Sequence, residues 1–143
     1  MPLNTALIML AMLAQMALTF IVYIVMVTGR FAAVRSREMR AAQYILVEGE
    51  PARLARVTNS LRNQFELPVI FYALVLMFVA INRVTILDVL LAWAFVAARI
   101  VHVTLHIRSD NVLLRSRIFG LGLVVVVLLA LHGAVIVAAE AFL

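Results

Sequence analysis

Leu3 to Val27 reads LNTALIMLAMLAQMALTFIVYIVMV, a run without a single charge. About 20 apolar residues in a helix cross a hydrocarbon core of ~30 Å, so this stretch is read as a membrane span. No basic stretch precedes it and no clear small-x-small site closes it, which favours a retained helix over a cleaved signal peptide. The rest of the chain has the same character: 66% of its 143 residues are hydrophobic and only 13% are charged. A mean hydropathy of +1.14 is more than one water-soluble core can hide, so the solvent for most of the chain is lipid.

Outward from that run, Arg30 to Glu50 forms a charged connection ending in Glu48-Gly49-Glu50-Pro51. Proline suits the first turn of a helix, which places the start of the second helix at Pro51 and its end near Ile81. Pro68 is expected to kink that helix. After the short polar break Asn82 to Thr85, the third span runs from Ile86 to Ile107, and after the loop Arg108 to Arg117 the fourth runs from Ile118 to Leu143. The expected fold is an all-α integral membrane protein: one domain over residues 1–143, a four-helix bundle with helices at about 3–27, 51–81, 86–107 and 118–143. Eleven of the twelve arginines lie in or near the first and third loops. Arginine near membrane ends favours the cytoplasm, so both termini are expected outside it.

Every basic residue is arginine and there is no cysteine. Thiol chemistry would therefore need a substrate's thiol. The pI of about 11.1 does not point to nucleic acid, because no basic surface interleaved with aromatics accompanies it. No nucleic-acid partner is expected; the lipid bilayer is.

Polar residues inside the spans carry the remaining signal. Asn59, Arg62, Asn63 and Glu66 share one stripe of the second helix, as Arg99, His102 and His106 do on the third. An ionised group in lipid costs at least ~2.5–3.5 kcal/mol, so these ladders must face protein or a wet cavity. Antiparallel helices bring them to one depth, where Arg115 and Arg117 join them. Such a layer suits an anionic, carboxylate-bearing ligand. The plainer readings stay open beside it. Arg62 and Glu66 are also spaced as an intrahelical ion pair, and Arg115 and Arg117 as positive-inside anchors. His102 and His106 have the spacing of a metal pair, but no third ligand is evident and no metal is expected. Asp88 is read as a cap on the third helix, and His132 as an interhelical hydrogen bond. A transporter is disfavoured because no span is broken at its midplane by paired glycines and prolines.

The run Arg62-Asn63-Gln64-Phe65-Glu66-Leu67-Pro68, with Arg99-Ile100-Val101-His102 and Arg115-Ser116, resembles the MAPEG family, the membrane-associated proteins of eicosanoid and glutathione metabolism. The separations of 36 residues from Glu66 to His102 and 13 from His102 to Arg115 are similar to those of its prostaglandin E synthase branch. The run from Asn63 to Tyr72 looks more like bacterial members. The resemblance implies a homotrimer with glutathione as co-substrate, and a bacterial inner-membrane location. Arg62, Asn63, Glu66, Arg99, His102 and His106 would hold glutathione. Arg115 would lower the thiol pKa, and Ser116 would donate a hydrogen bond beside it. Arg30 or Arg35 would match another glutathione-binding arginine. The implied activity transfers the thiol to a lipophilic small-molecule substrate, or uses it to reduce one, in the manner of a glutathione transferase, peroxidase or isomerase. Three departures, Asn59 for an arginine and His106 and Phe119 for tyrosines, motivate the alternative: a non-catalytic membrane subunit or scaffold that keeps the fold, with a larger membrane complex as partner.

Overall fold

The structure, a computed structural model, describes residues 1–46 and 49–142; Glu48 of the first connection and Leu143 at the expected end of the fourth span lie outside them. It is all helical: α1 (Leu3–Arg35), a short α2 (Gln43–Leu46), α3 (Ala52–Arg62), a 3-10 turn (Asn63–Phe65), α4 (Leu67–Ala80), α5 (Ile86–Arg108) and α6 (Val112–Ala141). Four helical runs are long and apolar enough to cross a membrane, with α3, the turn and α4 together making the second. The chain is a four-span helical membrane bundle.

Three boundaries differ from the sequence reading. α1 continues past Val27 to Arg35, and α6 begins at Val112 rather than Ile118. Charge marks where lipid ends, whereas a helix continues as long as its backbone hydrogen bonds are made and no cap stops it. Thr28 meets its own hydroxyl within the helix, donating to Ile24 O at 2.8 Å, and α1 closes only at Ser36, before Arg37 takes a positive φ of 59°. At the other boundary, Asn111 caps α6 by accepting from Leu114 N–H at 2.9 Å, so Arg115 and Arg117 stand on the helix and not in a loop. The third difference is the second span, which is interrupted rather than only kinked.

α5 is the most enclosed helix. Its Val89, Ala92, Phe95 and Val96 pack with Ile8 and Ala11 of α1, Phe71, Val75 and Phe78 of α4, and Val125, Val126 and Leu129 of α6. The Phe71 and Phe95 rings stack with centroids 4.5 Å apart. A smaller apolar cluster joins Val22 and Met26 of α1, Val57 and Leu61 of α3, and Val103 of α5 toward the arginine-rich end. Glycine allows close helix approach at two places. A Cβ at Gly29 would lie 2.6 Å from Leu54 Cδ2 of α3, and one at Gly133 would lie 2.6 Å from Met77 Cε of α4. Large apolar side chains such as Phe20, Ile24, Leu76 and Leu128 stay exposed on the outside, as a lipid solvent requires.

Ion pairs tie the arginine-rich end together. Arg30 Nε meets Glu50 Oε1 at 2.8 Å, Arg30 Nη2 donates to Thr58 Oγ1 at 3.2 Å, and the guanidinium lies 5.0 Å from the centre of the Tyr44 ring. Arg53 pairs with Glu38, and Arg56 with Asp110 at 2.5 Å. At the opposite end, Asp88 forms a capping box with Thr85 and accepts from His132 Nδ1 at 2.7 Å, so both residues have the structural roles expected of them.

Candidate functional site

The interruption of the second span creates the site. Pro68 has no N–H and its ring crowds the carbonyl four residues earlier, so an α-helix cannot run through it undisturbed. The chain tightens into a 3-10 turn at Asn63–Phe65, and Glu66 leaves helical geometry altogether at φ −101°, ψ −97°. Helix α4 restarts with Pro68 in its first turn, where proline is well tolerated. Although Glu66 occupies the N-cap position of α4, its carboxylate makes no capping bond and stays available.

Asn63 and Glu66 form one wall of a cleft of about 270 Å³. His102 and His106 on α5 line it, and Arg115, Ser116 and Phe119 on the first turns of α6 complete it. Six of the eight residues expected at the site thus share one cleft. Its lining has one carboxylate, Glu66, and one permanent cation, Arg115. A zwitterionic ligand fits that pairing.

The other two expected residues are placed differently. Arg62 is exposed and does not line the cleft, and among the described residues no ion pair joins it to Glu66. The single helical stripe read for Asn59 to Glu66 is split because the 3-10 turn changes the angle per residue within it. Arg99 is 1% exposed and lies behind the cleft wall, where its Nη2 donates to the backbone carbonyl of Asn63 at 2.9 Å. Its Nε and Nη1 have no partner among the described residues.

The histidines are buried and underused. Among the described residues, both ring nitrogens of His102 lack a hydrogen-bond partner, as does Nδ1 of His106. The two rings meet edge to face with centroids 5.6 Å apart, and His102 is also 5.6 Å from the Phe119 ring. Among the described residues no group of three histidine or carboxylate side chains is placed to hold a metal. Ser116 donates its hydroxyl to Val112 O at 2.9 Å. In this rotamer its oxygen can accept from a thiol, and it must turn to donate to one.

A buried pair beside the site was not foreseen. Gln15, fully buried at mid-depth in α1, donates from Nε2 to Gln64 Oε1 at 2.9 Å, which ties α1 to the 3-10 turn. A signal was present: a lone glutamine in an uncharged span must turn its amide toward protein, and Gln64 stands one turn from Ser60, also buried.

The model of the MAPEG family matches residues 8–135, which includes every residue lining the cleft. No curated protein and no solved structure matches the chain. Members of the family include glutathione-related transferases and peroxidases as well as non-catalytic proteins. With most of its length matched and its four spans in place, the chain belongs to the MAPEG family and is a multi-pass integral membrane protein.

Proposed function

We propose that this protein binds glutathione or a similar small thiol in the cleft and transfers it to a lipophilic electrophile or uses it to reduce one. The observation that carries this reading is that Glu66 and Arg115 line one polar cleft between spans. Glu66 receives the ligand's ammonium group, and the Asn63 amide and the histidines offer hydrogen bonds to its polar ends. Arg115 stabilises thiolate over thiol, since a fixed positive charge favours the anionic form. In transfer, the thiolate sulfur attacks an electrophilic carbon, a C–S bond forms, and the leaving group departs with its electron pair. The electrophile reaches the sulfur from the lipid side, which suits a membrane-embedded cleft.

Arg62 and Glu66 are exposed on the protomer at the broken span, where lipid would be a costly neighbour. That supports a homotrimer, in which adjacent subunits cover this face. The crowding of arginines at the cleft end supports a cytoplasmic cleft with both termini outside, as in a bacterial inner membrane.

Calorimetry with glutathione and the rate of thiol addition to chlorodinitrobenzene, which releases chloride, test the function. Saturable binding and accelerated addition are expected, and absence of both would overturn the proposal. One observation favours a second reading, a non-catalytic subunit. Phe119 places an apolar ring against His102 in the cleft wall, where a hydroxyl would be useful to a thiol. That reading expects stoichiometric copurification with a larger complex and an intact cellular role for Arg115→Ala.

A further inference from the structure

Among the described residues Arg99 is the largest fully buried side chain, and only one of its nitrogens has a partner there. No carboxylate lies within salt-bridge distance of it among the described residues. Burying a charge without a counter-ion is a poor way to stabilise a bundle, so its position calls for another explanation. The one bond it makes is informative. Asn63 O belongs to the 3-10 turn, where the regular helical pattern is lost on the way to Pro68, and Arg99 Nη2 supplies a donor there. Three residues on, Glu66 adopts its non-helical backbone, with no capping bond of its own to hold it. The second tie to the turn, Gln15 to Gln64, is a neutral hydrogen bond.

We propose that Arg99 is a positioning residue: its buried guanidinium clamps the 3-10 turn through the Asn63 carbonyl and so sets where Asn63 and Glu66 stand in the cleft wall. This deepens the thiol-site reading and rests on it for its functional consequence, but the clamp itself is a structural statement that can be tested without ligand. Arg99 acts from behind the wall and does not touch the ligand. Its charge also biases the cleft toward anions through low-dielectric protein, which a neutral donor at the same place would not do.

The test uses the full-length protein in lipid nanodiscs and compares wild type, Arg99→Met and Arg99→Lys. Methionine fills much of the volume without charge or donor, and lysine keeps the charge and one donor. Hydrogen exchange of the amides from Gln64 to Leu67 is expected to quicken by about tenfold or more in Arg99→Met and by less in Arg99→Lys, while α6 near Arg115 is unchanged. Glutathione affinity by calorimetry is expected to weaken by about tenfold in Arg99→Met. It should weaken by clearly less when Asn63→Ala and Glu66→Gln are already present, because the clamp acts on affinity through those two side chains. Unchanged exchange in a folded Arg99→Met overturns the clamp. Full additivity with that pair shows a contribution independent of the turn and overturns it as well. If Arg99→Met does not fold, the exchange of Arg99→Lys against wild type decides. If wild type binds no glutathione, the thiol reading fails, and the exchange comparison alone still supports or overturns the clamp.

Discussion

Two groups of polar residues sit toward opposite ends of α5, each around buried side chains, and their hydrogen-bond inventories differ. At the start of the helix, one Asp88 oxygen accepts from Thr85 N–H and Thr85 Oγ1, both at 2.8 Å, and the other from His132 Nδ1 at 2.7 Å. Both oxygens of the buried Asp88 carboxylate are thus met. Toward the other end, Arg99, His102 and His106 are buried too, yet among the described residues five of their nitrogens have no partner. Fold stability explains the first group, because a buried carboxylate supplied with donors joins α5 to α6. It does not explain the second, since unmet buried polar atoms cost free energy unless something else meets them. Polarity within a span therefore has two meanings here, and the difference lies in the partners rather than in the residue types.

The contrast fails if residues of the satisfied end matter to ligand, or residues of the cleft end matter only to folding. The largest effect is expected at Asp88. Asp88→Ala removes the N3 half of the capping box, leaving Thr85 as the N-cap, and a charge-assisted hydrogen bond from His132 worth ~1.5–3 kcal/mol, so stability should fall by about 2–3 kcal/mol. Thermal unfolding in detergent measures this, and thiol affinity per folded molecule should not move. A loss of affinity at constant stability would erase the distinction between the two ends.

At Arg115 the expectation is reversed. If its guanidinium lowers the bound thiol's pKa by ~2 units, from the usual ~8.5 to ~6.5, Arg115→Ala cuts the thiolate fraction at pH 7 by about 25-fold. A more basic thiolate is the better nucleophile and recovers up to about tenfold, leaving a net loss of about threefold in turnover. The rate of the variant should go on rising with pH after the wild-type rate has levelled, and its melting temperature should match wild type. An effect of similar size belongs to Glu66. Glu66→Gln trades a charge-assisted hydrogen bond for a neutral one, about 1 kcal/mol or a roughly fivefold loss of glutathione affinity. Normal affinity with reduced stability or a changed oligomer mass would remove Glu66 from the site.

The smallest effect sharpens the comparison from the packing side. In Gly29→Ala the new Cβ meets Leu54 Cδ2 at 2.6 Å, so the end of a flexible side chain must give way. Against that stands a gain of up to ~1 kcal/mol in helix propensity, so the net change should stay within about 1 kcal/mol. A rise in melting temperature would show that the α1–α3 contact under the cleft has slack, and a fall that it is tightly packed.

Much of this protein was legible without coordinates, for physical reasons tied to particular residues. The uncharged run from Leu3 to Val27 and the cost of charge in lipid were enough for the four spans and for the convergence of Glu66, His102, His106 and Arg115 at one depth. Asp88 was readable as a cap because a carboxylate at the start of a helix favours its dipole, and His132 as an interhelical hydrogen bond because it stands apart from other polar residues in α6. What the sequence could not decide was anything that depends on backbone geometry or on a partner distant along the chain. Helical spacing placed Arg62 beside Glu66, but the response of the backbone to Pro68 separated them, and periodicity assumes a helix that the proline interrupts. Arg99 and His102 share one face of α5 and are equivalent by spacing. Only packing placed His102 in the cleft wall and Arg99 behind it, bonded to a carbonyl that carries no mark in the sequence, because every residue has one.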